Sequence, residues 1–224
     1  MERVTGSLGS EYVRFRLDPE AVLLLTEKFD WNLLARRVFI DSVTGFVELS
    51  KPSMAHERQA RGMEGVMIAV ARRGRPVAPL GSTRWRRPED PTNTGAEPDA
   101  CYYLGDRAER LDKIDPLDED EDEHDAFALE NPPDLVIEVE RSSGDGDKPL
   151  AYRRLGVPEM WRIDISGNVR EAVMLDLQAP DGPAELESSI VLPGATPAFV
   201  LEALALTIRR QFPELDALIA ERLE

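Results

Sequence analysis

The stretch Pro132 to Asp164, PPDLVIEVERSSGDGDKPLAYRRLGVPEMWRID, decides the fold. Its first part alternates, with Leu135, Ile137 and Val139 on one side of an extended chain and Asp134, Val136, Glu138 and Glu140 on the other. The pattern predicts a strand over Pro133 to Glu140 with one core face and one acidic face. Asp147 to Leu155 predicts a helix, ended by Gly156 at its C-cap with Pro158 just beyond. Met160 to Ile165 is then a strand again. A strand–helix–strand unit flanked by hairpins and further helices points to an α/β domain built around a mixed β-sheet flanked by helices.

Downstream, Arg170 to Leu177 pairs with Met160 to Ile165 as a hairpin through Ser166, Gly167 and Asn168. Leu186 to Leu192 reads as another strand, and Ala198 to Arg210 and Glu214 to Leu223 as helices separated by Pro213. Upstream, Asp18 and Pro19 make an N-cap and first helical position for a helix to about Phe29. Phe46 to Leu49 reads as a strand. Ser53 opens a helix over Met54 to Ala71, with Met63, Met67 and Val70 at helical spacing and His56 and Glu57 in the first turn. Pro76 to Trp85 suits one or two strands in a hairpin or at a sheet edge, and Pro98 to Leu104 reads as a strand.

With 224 residues, 42% of them hydrophobic, the chain fits a single domain able to bury a core without staples. One cysteine, Cys101, excludes an intramolecular disulfide and a cysteine-based metal centre within one chain, and two histidines exclude a histidine-rich one. Met1 to Ser10 shows no export pattern and no stretch approaches a membrane span, so a reducing, cytoplasmic location is expected. The net charge of −16 argues at first against a nucleic-acid partner, because phosphate binding relies on lysine and arginine. That charge is uneven, however. Between Gly105 and Asn131 twelve acidic residues face three basic ones, and Arg72, Arg73, Arg75, Arg84, Arg86 and Arg87 form a basic neighbourhood elsewhere. The acidic tract is expected to be a mobile, solvated loop, its segment from about Leu117 to Asp125 without a packed side, and the arginines a solvated surface more than a DNA footprint.

Three acids lie beside core-forming strand sequence: Asp99, Glu138 and Glu140. A buried carboxylate needs a cation or hydrogen bonds in compensation. Mg²⁺ takes one or two carboxylates plus waters and substrate phosphate, and Asp99 with Glu138 supplies that number. Lys148 and Tyr152, four apart, share one face of the next helix, from which a lysine could reach back to the metal site.

The segments EPDACYYL (Glu97 to Leu104) and Pro132 to Asp164, the HE pair at His56 and Glu57, and the LPG at Leu192 to Gly194 together resemble the Uma-two family within the restriction-endonuclease-like PD-(D/E)xK superfamily. The resemblance implies that residues 39–224 form a restriction-endonuclease-like domain with an acidic insertion at about 105–131, preceded by an N-terminal helical extension over 1–38. It also implies a metal-dependent endonuclease acting on DNA, with Mg²⁺ or Mn²⁺ held by Asp99, Glu138 and the backbone carbonyl of Val139. Lys148 is then the active-site lysine, displaced from strand to helix, and Glu57 the acidic residue of the early helix. His56, Tyr152 and Glu140 are possible accessories. A homodimer is left open, and no membrane is involved.

Glu140 departs from the pattern, since the superfamily usually has lysine two residues after the strand glutamate. About 7 Å along the same strand face, Glu140 could attract a second metal or repel phosphate and mark a degenerate site. Its plain alternative is an exposed charge paired with Arg141 or Arg153. A nuclease fold that has lost cleavage and kept a binding or regulatory role is therefore the rival reading.

Overall fold

The computed structural model describes residues 12–28, 37–83, 85, 96–114, 121–140, 147–166 and 170–223. Two sheets organise them. The larger has six strands in the order β4 (Val77–Gly81), β5 (Ala100–Leu104), β6 (Leu135–Glu140), β7 (Glu159–Asp164), β8 (Glu171–Asp176), β9 (Ala184–Leu186). Only β6 and β7 run parallel, joined by helix α5 (Asp147–Leu155), as a crossover between parallel neighbours requires. The other pairings are antiparallel, so the sheet is mixed. Pro79 sits on β4, an edge strand, where a missing N–H is tolerated.

One face of this sheet packs against α2 (Met54–Arg72), α6 (Pro197–Arg209) and α7 (Phe212–Leu223). Leu135, Ile137, Val139 and Trp161 meet Met63, Val70, Phe199 and Leu218 in that layer. The opposite face carries Cys101, Tyr103, Val136 and Met160 against Ala151, Tyr152 and Leu155 of α5. A second, three-stranded antiparallel sheet, β1 (Tyr12–Arg16), β3 (Phe46–Ser50), β2 (Arg37–Asp41), joins that same layer through Phe39 and Phe46. Asp41 secures it to α5 by an ion pair with Arg154 while capping its own turn at Val43 and Thr44.

Several expectations change. Glu140 is not exposed: all six residues of β6 are buried, because α5 and the small sheet cover the face it shares with Glu138. Within the segment expected as a helical extension, α1 (Pro19–Lys28) forms with Asp18 accepting from the Glu20 N–H, but Tyr12–Arg16 is a strand. The acidic tract is not a loop where it is described, although in the segment Leu117 to Asp125 Glu123 is exposed as expected. It forms α3 (Asp106–Leu111) and α4 (Glu121–Glu130), and Ala108 and Phe127 bury themselves beside Tyr103. Arg107 ion-pairs with Asp134, and Arg110 lies over the Phe127 ring, so the few basic and apolar residues of the tract anchor it. Residues 115–120 of that tract and the turn at Gly167 and Asn168 lie outside the described residues.

Leu186 to Leu192 is a strand only at its start. The buried Glu159 carboxylate accepts the backbone N–H groups of Ile190 and Val191, so these donors serve a side chain instead of a ladder. Pro213 stands in the first turn of α7, where its missing N–H costs nothing, and does not separate two helices. Of the basic neighbourhood, Arg72 and Arg73 bond to Asp216 on α7, while Arg75 bonds to the carbonyls of Pro193 and Leu223. Arg84, Arg86 and Arg87 lie outside the described residues. No helix among the described residues is long and apolar enough to cross a membrane.

Candidate active site

The antiparallel register of β5 and β6, with Ala100 opposite Ile137, brings Asp99 level with Glu138 at the end of β5. Asp99 Oδ2 accepts the Val139 N–H at 2.7 Å and lies 3.0 Å from His56 Nε2. His56 reaches it from the first turn of α2, where Ser53 caps the helix by accepting the His56 N–H. The sequence separates these groups by about forty residues, and the fold joins them.

Glu138 is 2% exposed, and both of its oxygens are engaged. Lys148 Nζ donates to Oε2 at 2.8 Å, and the Tyr152 hydroxyl donates to Oε1 at 2.5 Å. The four-residue spacing on α5 thus puts both donors on one carboxylate. Lys148 has a second acceptor, Glu48 Oε1 at 3.0 Å, which no feature of the sequence pattern anticipates. Glu48 comes from β3, and the residue opposite it on β1 is Arg14, whose Nε donates to Glu48 Oε2 at 2.5 Å. The Phe39 ring lies under the ammonium, 5.6 Å from its centre, and meets Tyr152 edge to face. Breaking such a buried set by removing one cation strands a carboxylate and costs about 3 to 5 kcal/mol.

Glu140 is buried as well, contrary to the exposed reading, and its Oε2 has no hydrogen-bond partner among the described residues. The expected partner Arg153 is spent on the carbonyls of Leu177 and Ala179, and Arg141 lies outside the described residues. Asp99, Glu138, Val139, Glu140, Lys148 and His56 all border one cavity, with Glu48 and Arg14 also in its wall. Glu57 does not border it. It lines the adjoining cleft with Glu64 and Arg61, and Asp99 borders both spaces.

The electrostatics follow from burial. Burial pushes the Glu138 carboxyl up to about 7, with the Asp99 charge adding to the rise and Lys148 and Tyr152 opposing it. Burial also raises Glu140. For Glu48 burial is outweighed by Lys148 and Arg14, which hold it below the usual carboxylate range. Lys148 is held well above its ordinary value, since Glu138, Glu48, Glu140 and Asp99 overcome the desolvation of its charge. A carboxyl that titrates higher in the folded chain contributes stability below its unfolded pKa and loses it as pH rises through the folded value. For Glu138 that window runs from about 4.5 to about 7. Metal-free Glu138→Gln is therefore expected to gain in melting temperature over wild type as pH is raised across this window, read by scanning calorimetry. A constant difference would show that Glu138 is ionised throughout.

Among the described residues no three His, Cys, Asp or Glu side chains form a ready-made ligating group. The Lys148 ammonium stands between Glu138 and Glu48, 2.8 and 3.0 Å from their oxygens. Mg²⁺ does not need an all-protein cage, since it usually takes one or two carboxylates and fills the rest with water and phosphate. Oε2 of buried Glu140, without a hydrogen-bond partner among the described residues, shares its cavity with Asp99, Glu138, Glu48 and Glu97, five carboxylates against Lys148 and Arg14, and such a set fits a divalent cation.

A mixed sheet whose antiparallel β5–β6 pair brings an aspartate level with a strand glutamate, followed by a parallel β6–α5–β7 crossover, defines a restriction-endonuclease-like fold. Residues 29–207 match the model of the Uma2 family, described as "Putative restriction endonuclease", and the chain belongs to that family. No curated protein matches the chain significantly.

Proposed function

We propose that this protein is a metal-dependent endonuclease that hydrolyses DNA phosphodiester bonds in the cytoplasm. The observation that carries the reading is the convergence of Asp99, Glu138 and Lys148 on one cavity from two strands and a helix. Asp99, Glu138 and the Val139 carbonyl would hold Mg²⁺ or Mn²⁺. When bound, the cation would lower the pKa of water and offset phosphate charge. The chain's own residues do the rest. Asp99 is fixed by the Val139 N–H and His56, so the carboxylate does not have to reorganise. Tyr152 orients Glu138 through Oε1. Lys148 supplies an ammonium that stabilises negative charge developing on the phosphoryl oxygens.

The rival reading, a degenerate nuclease fold with a binding role, draws on the occupation of both Glu138 oxygens by Lys148 and Tyr152. One experiment separates the two. Wild-type protein, incubated with single- and double-stranded DNA in Mg²⁺ or Mn²⁺, is expected to cleave, and the same ions are expected to raise its melting temperature by binding the native state. Neither cleavage nor a metal-dependent shift would favour the degenerate reading.

A further inference from the structure

Lys148 serves two carboxylates that belong to different sheets, Glu138 on β6 at 2.8 Å and Glu48 on β3 at 3.0 Å. Their situations differ. Glu138 is the proposed metal ligand, and an ammonium and a divalent cation on one carboxylate repel each other strongly in a buried site. Binding the ion therefore takes Glu138 away from Lys148. A lysine freed in this way, on a flexible four-carbon stem, would be repelled from the site it is meant to serve.

Glu48 has no such conflict. It is 6% exposed, stands directly across the β1–β3 register from Arg14, and gives Oε2 to Arg14 while keeping Oε1 for Lys148. An arginine hydrogen bond thus braces Glu48, whereas Oε2 of Glu140 has no partner among the described residues. Arg14 and Glu48 come from the small sheet, so the crossover unit supplies the lysine and a separate sheet supplies its permanent counter-ion.

We propose that Glu48 is the positioning residue that keeps Lys148 in the cavity when Glu138 is given over to the metal. This rests on the metal-dependent reading above. In the structure the ammonium spans both carboxylates. With the ion bound it stays on Glu48, still bordering the cavity, where a phosphate oxygen can meet it.

The test uses nitrogen-edited NMR of the lysine ammonium groups, since an ammonium held by buried carboxylates exchanges slowly enough to be seen, with Lys148→Met assigning the signal. In wild type the Lys148 signal is expected both without metal and with saturating Mg²⁺. In Glu48→Gln it is expected without metal, held by Glu138, and lost on adding Mg²⁺. Glu48→Asp, which keeps the charge but draws it back by one methylene, should behave in the same way and serves if Glu48→Gln does not fold. Loss of the signal from wild type with Mg²⁺, or its persistence in both Glu48 variants with Mg²⁺, overturns the proposal. In a cleavage assay Glu48→Gln is expected to lower kcat about 10- to 100-fold, as outer-shell changes do, with the Mn²⁺-induced melting shift retained. Wild-type kcat in that variant also overturns it. Absence of cleavage from wild type alongside the expected NMR pattern would instead remove the nuclease reading and leave the positioning role standing.

Discussion

Replacing Lys148 with methionine is expected to lower kcat for DNA cleavage by about 10² to 10³ while leaving metal binding in place, the effect of removing one preorganised charge from a developing oxyanion. Methionine keeps most of the length and volume of the lysine side chain, so packing survives while the charge over the Phe39 ring is lost. The apo variant should be less stable, because Glu138 and Glu48 then face each other without their shared ammonium. For the same reason Mn²⁺ should raise its melting temperature by at least as much as it does for wild type. A variant that cleaves at the wild-type rate would remove Lys148 from the chemistry, and one that no longer responds to Mn²⁺ would make the lysine part of the metal site itself.

Asp99→Ala is expected to have the opposite signature, losing both cleavage and the metal-induced melting shift. Asp99 is held by a backbone N–H and by His56, so its removal takes away a ligand that was already oriented. It also removes a negative charge that helps to raise Glu138, so the metal-free variant should suffer less from neutral pH than wild type does. Parallel melting curves with and without Mn²⁺ check both points. Retention of the full Mn²⁺ shift would mean that the ion binds elsewhere.

What the sequence disclosed of this site was local. The alternation of Leu135 to Glu140 gave β6 and the face that Glu138 shares with Glu140, and the spacing of Lys148 and Tyr152 put both on the helix face that meets Glu138. Arg14 and Glu48 were not visible in the same way. Each lies in a five-residue strand, their pairing spans 34 positions, and Lys148 lies about a hundred residues further along the chain. No spacing rule connects residues across two sheets. The burial of Glu140 escaped for the same reason, since the elements that cover it, α5 and the small sheet, are remote from β6 or bend back over it. The charge count of the acidic tract suggested a loop, whereas Phe127, just beyond Leu117 to Asp125, gives α4 a buried side beside Tyr103.

The central claim is that Asp99 and Glu138 hold one divalent ion between β5 and β6. A crystal of the wild-type protein soaked in Mn²⁺ and measured at the manganese absorption edge tests it most directly. One anomalous peak bonded to Asp99, Glu138 and the Val139 carbonyl, with Lys148 still on Glu48, is the expected result. A saturating soak that leaves this cavity without a peak, with Lys148 still bridging Glu138 and Glu48, would contradict it.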